Sequence, residues 1–356
     1  MVPHGPVPLF VELCAGTAAL SLAFHARGEP LKSRKGAFKQ VKPPVSRMGS
    51  KAGYAAAILD VLGLEQGQGA RDGTRYLWCE PDPGVRLLLE AYRDAGLARA
   101  AADIIRGWAG EDPRALWERL RAEGPPRGVE AGEVARWALL GEWAFRRGEP
   151  ASGPAGETRW ANGPWRNAAG EVVATRVGLT AEAMSGRWGL PALDATVCPD
   201  ARAVDPREVA RWAWVQRRSA HAKGDSFHGG NDTHKISVDA PAQSMVALPT
   251  LPADIAPDAL TIDPAPCLPA GTIVYIDPPY AGTTKYASDL PRADVVALAR
   301  RWADAGATVC LSEQVAIPEL VADGWEAIDI SDRRVGQRRT FSKQQSEFLT
   351  LKRASQ

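Results

Sequence analysis

Pro8-Leu9-Phe10-Val11-Glu12-Leu13 is an apolar run broken by one acid, and it ends in four small residues, Cys14-Ala15-Gly16-Thr17. From Ala18 to Ala26 the apolar residues recur at helical spacing. The reading is strand, tight turn, helix. The same texture follows downstream. A Lys/Arg/Pro-rich loop covers 28–46, and a helix is predicted from Lys51 to Leu64. Tyr76 to Cys79 reads as a second strand that ends at Glu80. Pro83 to Ala95 reads as a helix with Val85, Leu88, Leu89 and Tyr92 on one face. Alternating strands and helices bury a mainly parallel sheet between helix layers, so the expected fold class is α/β.

The far end of the chain repeats this pattern. Gly271–Ile276 is a predicted strand, Arg292–Ala305 a helix, and Ala307–Ser312 a strand. Pro318–Ala322 is a short helix, and Trp325–Ile330 and Glu347–Lys352 are strands. The stretch between differs. Helices are predicted at 113–123, 132–147 and 206–220, around a Gly/Pro/Asn-rich segment at 148–178. Nine of the twelve tryptophans fall there, which points to packed or base-facing loops rather than a free linker. The expected organisation is a Rossmann-like core from 1–105 and 260–356, with an inserted, mainly helical domain at 106–259.

Composition narrows the class. The 356 residues carry 43 Lys+Arg against 42 Asp+Glu, a net charge of +1, so no global field advertises a polyanion partner. A local basic patch is still enough for nucleic acid. No apolar run approaches the roughly 20 residues of a spanning helix. Met1 to Pro6 shows no charged segment leading into an apolar one. The five cysteines are scattered without a CxxC pair, which argues against a metal site and fits free thiols in a cytoplasmic protein.

The strongest chemical signal is Asp277-Pro278-Pro279-Tyr280, directly after the strand Gly271–Ile276. Ligands of parallel α/β sheets bind outside the carboxyl ends of strands. An exocyclic amine on an aromatic base is a poor nucleophile, because its lone pair is delocalised into the ring. The Asp277 carboxylate and the Pro278 carbonyl can accept both amine hydrogens and free that lone pair. Two prolines stiffen the turn and preorganise the acceptors. Tyr280 offers a flat face for stacking. Four looser signals accompany it. Glu12 with Cys14-Ala15-Gly16-Thr17 forms a turn whose backbone N–H groups sit at a helix start. Arg47, Gly49, Ser50 and Lys51 open the next helix, Glu80 ends the second strand, and Asp263 precedes the tetrapeptide.

Together these segments resemble the DNA adenine methyltransferases of the Dam type, which take S-adenosylmethionine as methyl donor. The resemblance covers roughly 8–105 and 259–352. It implies that Asp277 to Tyr280 is the catalytic motif. It implies that Glu12, Cys14, Ala15, Gly16, Thr17, Arg47, Gly49, Ser50, Lys51, Glu80, Asp263 and Asp277 surround the cofactor, with Glu80 on its ribose. Ser312 stands at the expected strand end, and Ser346-Glu347-Phe348-Leu349 looks like the closing strand motif. One departure is the order: the lysine segment follows the small-residue turn here, whereas in the Dam type it precedes it.

The resemblance makes the middle region a target-recognition domain. Arg217, Arg218, His221, Lys223, His228, Asn231 and Lys235 are its candidate DNA contacts, the basic ones to phosphate and Asn231 to a base edge. A base inside a duplex must be flipped out before its amine is reachable. The expected activity is N6-methylation of adenine in DNA, as monomer or homodimer and with no metal. The alternatives are the same chemistry on cytosine N4 or RNA, and a catalytically silent DNA-binding relative. A nicotinamide oxidoreductase is disfavoured by the missing GxGxxG.

Overall fold

The computed structural model describes residues 6–26, 43–45, 50–123, 165–166, 172–174, 204–218, 239–256, 258–262, 264, 268–280, 290–335 and 346–354. The helix predicted at 132–147 lies outside the described residues. The strands are β1 (Leu9–Leu13), β2 (Arg75–Cys79), β3 (Trp165–Arg166), β4 (Val172–Ala174), β5 (Ala253–Ala256), β6 (Ile273–Ile276), β7 (Thr308–Glu313), β8 (Glu326–Asp329) and β9 (Phe348–Lys352). Seven of them form one sheet in the order β5-β2-β1-β6-β7-β9-β8, while β3 and β4 pair separately. Strands β5, β2, β1, β6 and β7 run parallel, and β9 runs against both β7 and β8. The protein is thus an α/β fold on a mixed sheet.

The described α-helices are α1 (Ala19–His25), α2 (Ala55–Leu62), α3 (Gln68–Asp72), α4 (Pro83–Arg93), α5 (Ala95–Gly107), α6 (Pro113–Ala122), α7 (Pro206–Arg217), α8 (Asp239–Val246), α9 (Arg292–Asp304) and α10 (Pro318–Ala322). Several begin on a local signal. Asp82, Asp94, Asp112 and Asp205 each accept hydrogen bonds from the first free amides of α4, α5, α6 and α7, and a proline opens three of these helices. The predicted helix at 51–64 begins instead as a 3₁₀ turn, Lys51–Gly53, capped by Ser50, and α2 follows it.

β1 lies between β2 and β6 and is buried on both faces. Leu9, Val11 and Leu13 join a cluster with Val295, Leu298 and Trp302 of α9. Phe10 faces the other layer, against Phe24 at 5.1 Å and Tyr76 at 6.2 Å. Full burial of side chains of this kind stabilises by about 1.5–3 kcal/mol each. That is the reserve from which this sheet carries the buried acid Glu12 and, at the exit of β6, the half-buried Asp277.

The domain boundary expected at 106–259 needs correction. β5 is the edge strand of the main sheet, with Tyr76 opposite Ala253. Trp117, Leu120, Val209, Trp214, Ala242 and Met245 share one cluster with α1, α2 and α4. Trp117 Nε1 donates to the Val215 carbonyl at 3.1 Å. Segments 106–123, 204–218 and 239–256 therefore build the helix layer and one sheet edge. The sequence hid this because β5 is four residues long, follows Pro252 and contains Asp254, so it shows no alternation.

The winding reverses at one place. From β1 the chain proceeds to β2 and β5 on one side, and β6 and β7 lie on the other. The carboxyl ends of β1 and β6 flank that reversal, where open α/β sheets bind ligands.

Candidate active site

Two loops leave the sheet at this point. The first is Cys14–Ala18. Cys14 has φ +64°, Gly16 +51° and Ala18 +46°, so three alternate residues adopt the left-handed region. For the two non-glycine residues this costs roughly 1–2 kcal/mol each. The surroundings hold them there. Ala15 N donates to the Cys79 carbonyl at 2.8 Å, and Gly16 N donates to Glu80 Oε2 at 2.8 Å. Tyr92 Oη donates to the Thr17 carbonyl at 3.1 Å. A Cβ built on Gly16 would meet nothing within 4 Å, so the loop faces open space there.

Glu12 and Glu80 fix this loop from two sides. The Glu12 side chain is buried and Oε1 accepts from Ser21 N at 2.6 Å, while Ser21 Oγ accepts from Trp78 Nε1 at 2.9 Å. Burial pushes the Glu12 carboxyl up to about 7 against the Ser21 hydrogen bonds, and the nearby Asp277 charge adds to the rise. Glu12 thus anchors the start of α1 to the sheet. Glu80 is also buried, and its Oε1 accepts from Asp82 N at 2.9 Å. Burial raises the thiol pKa of both Cys14 and Cys79 well above the ordinary range, so neither is a ready nucleophile.

The second loop is Asp277–Tyr280. Asp277 N donates to the Leu13 carbonyl at 3.2 Å, which ties the exit of β6 to the exit of β1. Asp277 Oδ1 lies 2.9 Å from Lys51 Nζ and accepts from Ser312 Oγ at 3.1 Å. Ser312 Oγ also meets Tyr275 Oη at 2.8 Å. Tyr280 Oη donates to Glu347 Oε1 at 2.5 Å, and the same carboxylate oxygen is 3.6 Å from Lys51 Nζ. Lys51 Nζ stands 4.4 Å from the centroid of the Tyr280 ring. Six side chains from four parts of the chain form one partly buried polar cluster around Lys51, Asp277 and Tyr280.

Burial raises the Asp277 carboxyl, while the Lys51 charge and the hydrogen bonds from Lys51 and Ser312 pull it back. Burial likewise raises Glu347, opposed by Lys51 and reinforced by Asp277. For Lys51, burial acts downward, but Asp277, Tyr280 and Glu347 outweigh it and hold the ammonium well above its ordinary value. Two carboxylates thus share one firmly protonated lysine, and when both are ionised the cluster is net negative.

The turn that carries Lys51 is clamped from both sides. Thr17 Oγ1 and Ser50 Oγ are 3.5 Å apart, and Val335 N donates to the Gly53 carbonyl at 2.8 Å. A Cβ on Gly53 would meet Arg334 Nε at 3.0 Å, so this contact is close-packed. Glu347 is held in turn by its amide, which donates to Ser331 Oγ at 2.9 Å.

Of the sequence-predicted residues, Glu12, Cys14, Ala15, Gly16, Thr17, Ser50, Lys51, Glu80 and Asp277 to Tyr280 lie on or beside the two loops. Arg47, Gly49, Asp263, His221, Lys223, His228, Asn231 and Lys235 lie outside the described residues. Arg217 Nη1 donates to the Pro44 carbonyl, and the Arg218 guanidinium stacks 4.9 Å over Trp214. Both arginines are thus engaged with the chain itself. The sequence reading placed Glu347 only within the closing strand motif and gave no role to Tyr275 or Ser331. The local signal for Glu347 is an acid immediately before the strand run Phe348-Leu349-Thr350-Leu351.

Among the described residues no three His, Cys, Asp or Glu side chains are grouped to hold a metal ion, and no helix is long and apolar enough to cross a membrane. No family model and no curated protein matches the chain.

Proposed function

We propose that the protein is an amino-methyltransferase that uses S-adenosylmethionine and methylates the exocyclic N6 amine of adenine in DNA. The observation that carries this reading is the placement of Asp277. Its half-buried carboxylate stands at the winding reversal, tied by its own amide to the end of β1 and paired with Lys51, which stands over the Tyr280 ring.

The residues fit the cofactor. The β1 loop has open space above Gly16, where a bulky group can approach the backbone. Glu80 lies beside it, and a carboxylate is a good acceptor for hydroxyl donors. The net negative cluster around Asp277 favours a cationic donor nearby. When bound, S-adenosylmethionine supplies a methyl group on a positively charged sulfur. The chain's own residues do the rest. Asp277 Oδ1 and the Pro278 carbonyl accept the amine hydrogens, which localises the nitrogen lone pair. Asp277, raised by burial, takes up the proton that the amine loses. Tyr280, fixed by Glu347, holds the base plane, and Ser312 and Lys51 keep the carboxylate ionised and oriented.

DNA as the acceptor follows from the resemblance of Asp277 to Tyr280 to the Dam-type motif, with cytosine N4 and RNA as the same chemistry on other amines. The test is a nucleoside digest. Purified protein is incubated with deuterated-methyl S-adenosylmethionine and unmethylated DNA or RNA, and the products are separated by mass. Labelled N6-methyl-2′-deoxyadenosine from the DNA supports the reading. Labelled N4-methylcytosine, or label in RNA alone, reassigns the acceptor, and label in neither defeats it.

A further inference from the structure

The position of Lys51 raises a question that the proposed reaction leaves open. An acceptor amine must sit within hydrogen-bond range of Asp277 while its ring lies on Tyr280. Lys51 Nζ already makes both contacts, at 2.9 Å from Asp277 Oδ1 and 4.4 Å from the Tyr280 ring centroid. One nitrogen donor with a charge-assisted bond to the carboxylate and a cation–π contact to the ring is a chemical stand-in for the amine. The amine and the ammonium cannot share that point.

We infer that Lys51 is a placeholder for the acceptor amine, and that Glu347 is the positioning residue that receives the lysine when the amine arrives. The inference rests on the methyltransferase reading. Glu347 Oε1 is 3.6 Å from Nζ, so a shift of roughly 1 Å brings the ammonium into a full hydrogen bond. The pair then exchanges one carboxylate for another, and no buried charge is left alone during the exchange. Glu347 is fixed for this task, because its amide is held by Ser331 and the following strand pairs with β7 and β8. Lys51 keeps its charge within a few ångströms of Asp277 throughout, so the carboxylate stays ionised for the reaction. The arrangement also selects the acceptor. A neutral planar amine can displace Lys51, whereas an aliphatic ammonium would bring a second positive charge beside it.

The test is a double-mutant cycle on methyl transfer to an adenine oligonucleotide, read as kcat and KM. Glu347→Gln keeps an oxygen for Tyr280 but removes the charge that draws Lys51 away. Its KM for the oligonucleotide is expected to rise roughly tenfold, at unchanged S-adenosylmethionine affinity. Lys51→Met leaves nothing to displace. Its oligonucleotide KM is expected to be no higher than wild type, and the acid limb of its rate profile moves to higher pH, because Asp277 loses the ammonium that lowers it. The double variant is expected to return to the KM of Lys51→Met. A purely structural role for Glu347 would leave the double variant at least as impaired as Glu347→Gln.

Thermal unfolding and circular dichroism establish that each variant is folded. Should Glu347→Gln not fold, wild-type protein labelled with ¹⁵N-lysine answers the same question. Its Lys51 Nζ resonance, assigned by loss in Lys51→Met, is expected to shift on oligonucleotide binding. No rescue in the double variant, or a resonance that does not move, overturns the inference while leaving the methyltransferase reading intact. Absence of transfer by the wild type to any nucleic acid defeats both.

Discussion

The two loops at the winding reversal solve the same problem with different materials. The β1 loop, Cys14–Ala18, is built almost wholly from backbone. Its turns are left-handed, its amides are held by a strand carbonyl and by Glu80, and its side chains are small. The β6 loop, Asp277–Tyr280, is stiffened by two prolines and built from side chains whose partners come from far along the chain. Ser312 lies 35 residues away from Asp277, and Glu347 lies 67 residues away from Tyr280. A backbone cradle suits a large ligand that must be held in many places at once. A charged side-chain cluster suits a single atom whose protons must be moved. The division of labour proposed for cofactor and acceptor follows that difference.

The first of three graded tests breaks the cradle and spares the cluster. Glu80→Ala removes the carboxylate under Gly16 and Asp82, along with the candidate hydroxyl acceptor. Loss of such charge-assisted hydrogen bonds is expected to weaken S-adenosylmethionine binding about 100-fold, measured by titration calorimetry. An affinity equal to wild type would remove Glu80 from the cofactor site.

The next effect separates the two acids at the sheet centre. Asp277 is partnered by a lysine, Glu12 by a backbone amide. The Glu12 carboxyl titrates near 7 in the folded chain and lower when unfolded, so the folded form binds its proton more tightly. The stability that this group contributes is complete at low pH and is lost as pH rises through about 7. Glu12→Gln keeps the acceptor for Ser21 and cannot ionise. Relative to wild type it is expected to gain about 2 kcal/mol between pH 5 and pH 8, read from denaturant unfolding at each pH. A gap that is flat across this range would contradict the raised carboxyl.

The smallest effect probes the backbone of the cradle. Gly16→Ala meets no neighbour, so only the left-handed backbone is penalised. A loss of about 1 kcal/mol of stability is expected, together with a weaker cofactor complex because the open space is partly filled. Loss of stability with unchanged S-adenosylmethionine affinity would show that the ligand does not approach there.

How much of this could be read beforehand follows the same divide. The strand–turn–helix at 8–26 and the strand leading into Asp277 were legible, because the signals are contiguous: apolar runs, small-residue turns and paired prolines. Helix starts at Asp82, Asp112 and Asp205 carry their own aspartate–proline mark. The edge strand β5 was not legible, since four residues with an internal acid show no period. Nor was the partnership of Lys51, Ser312 and Glu347 with the tetrapeptide, because sheet order brings them together and no local pattern encodes it. The resemblance placed Lys51 by the cofactor, and the distances add a direct bond to Asp277.

The central claim is that the Asp277 carboxylate activates an amine delivered onto Tyr280. The most direct measurement compares wild type and Asp277→Ala at saturating S-adenosylmethionine, following labelled methyl incorporation into adenine-containing DNA alongside cofactor binding. The account predicts transfer reduced by roughly 10³-fold or more with cofactor affinity changed little. An Asp277→Ala protein that transfers methyl groups at the wild-type rate would contradict it.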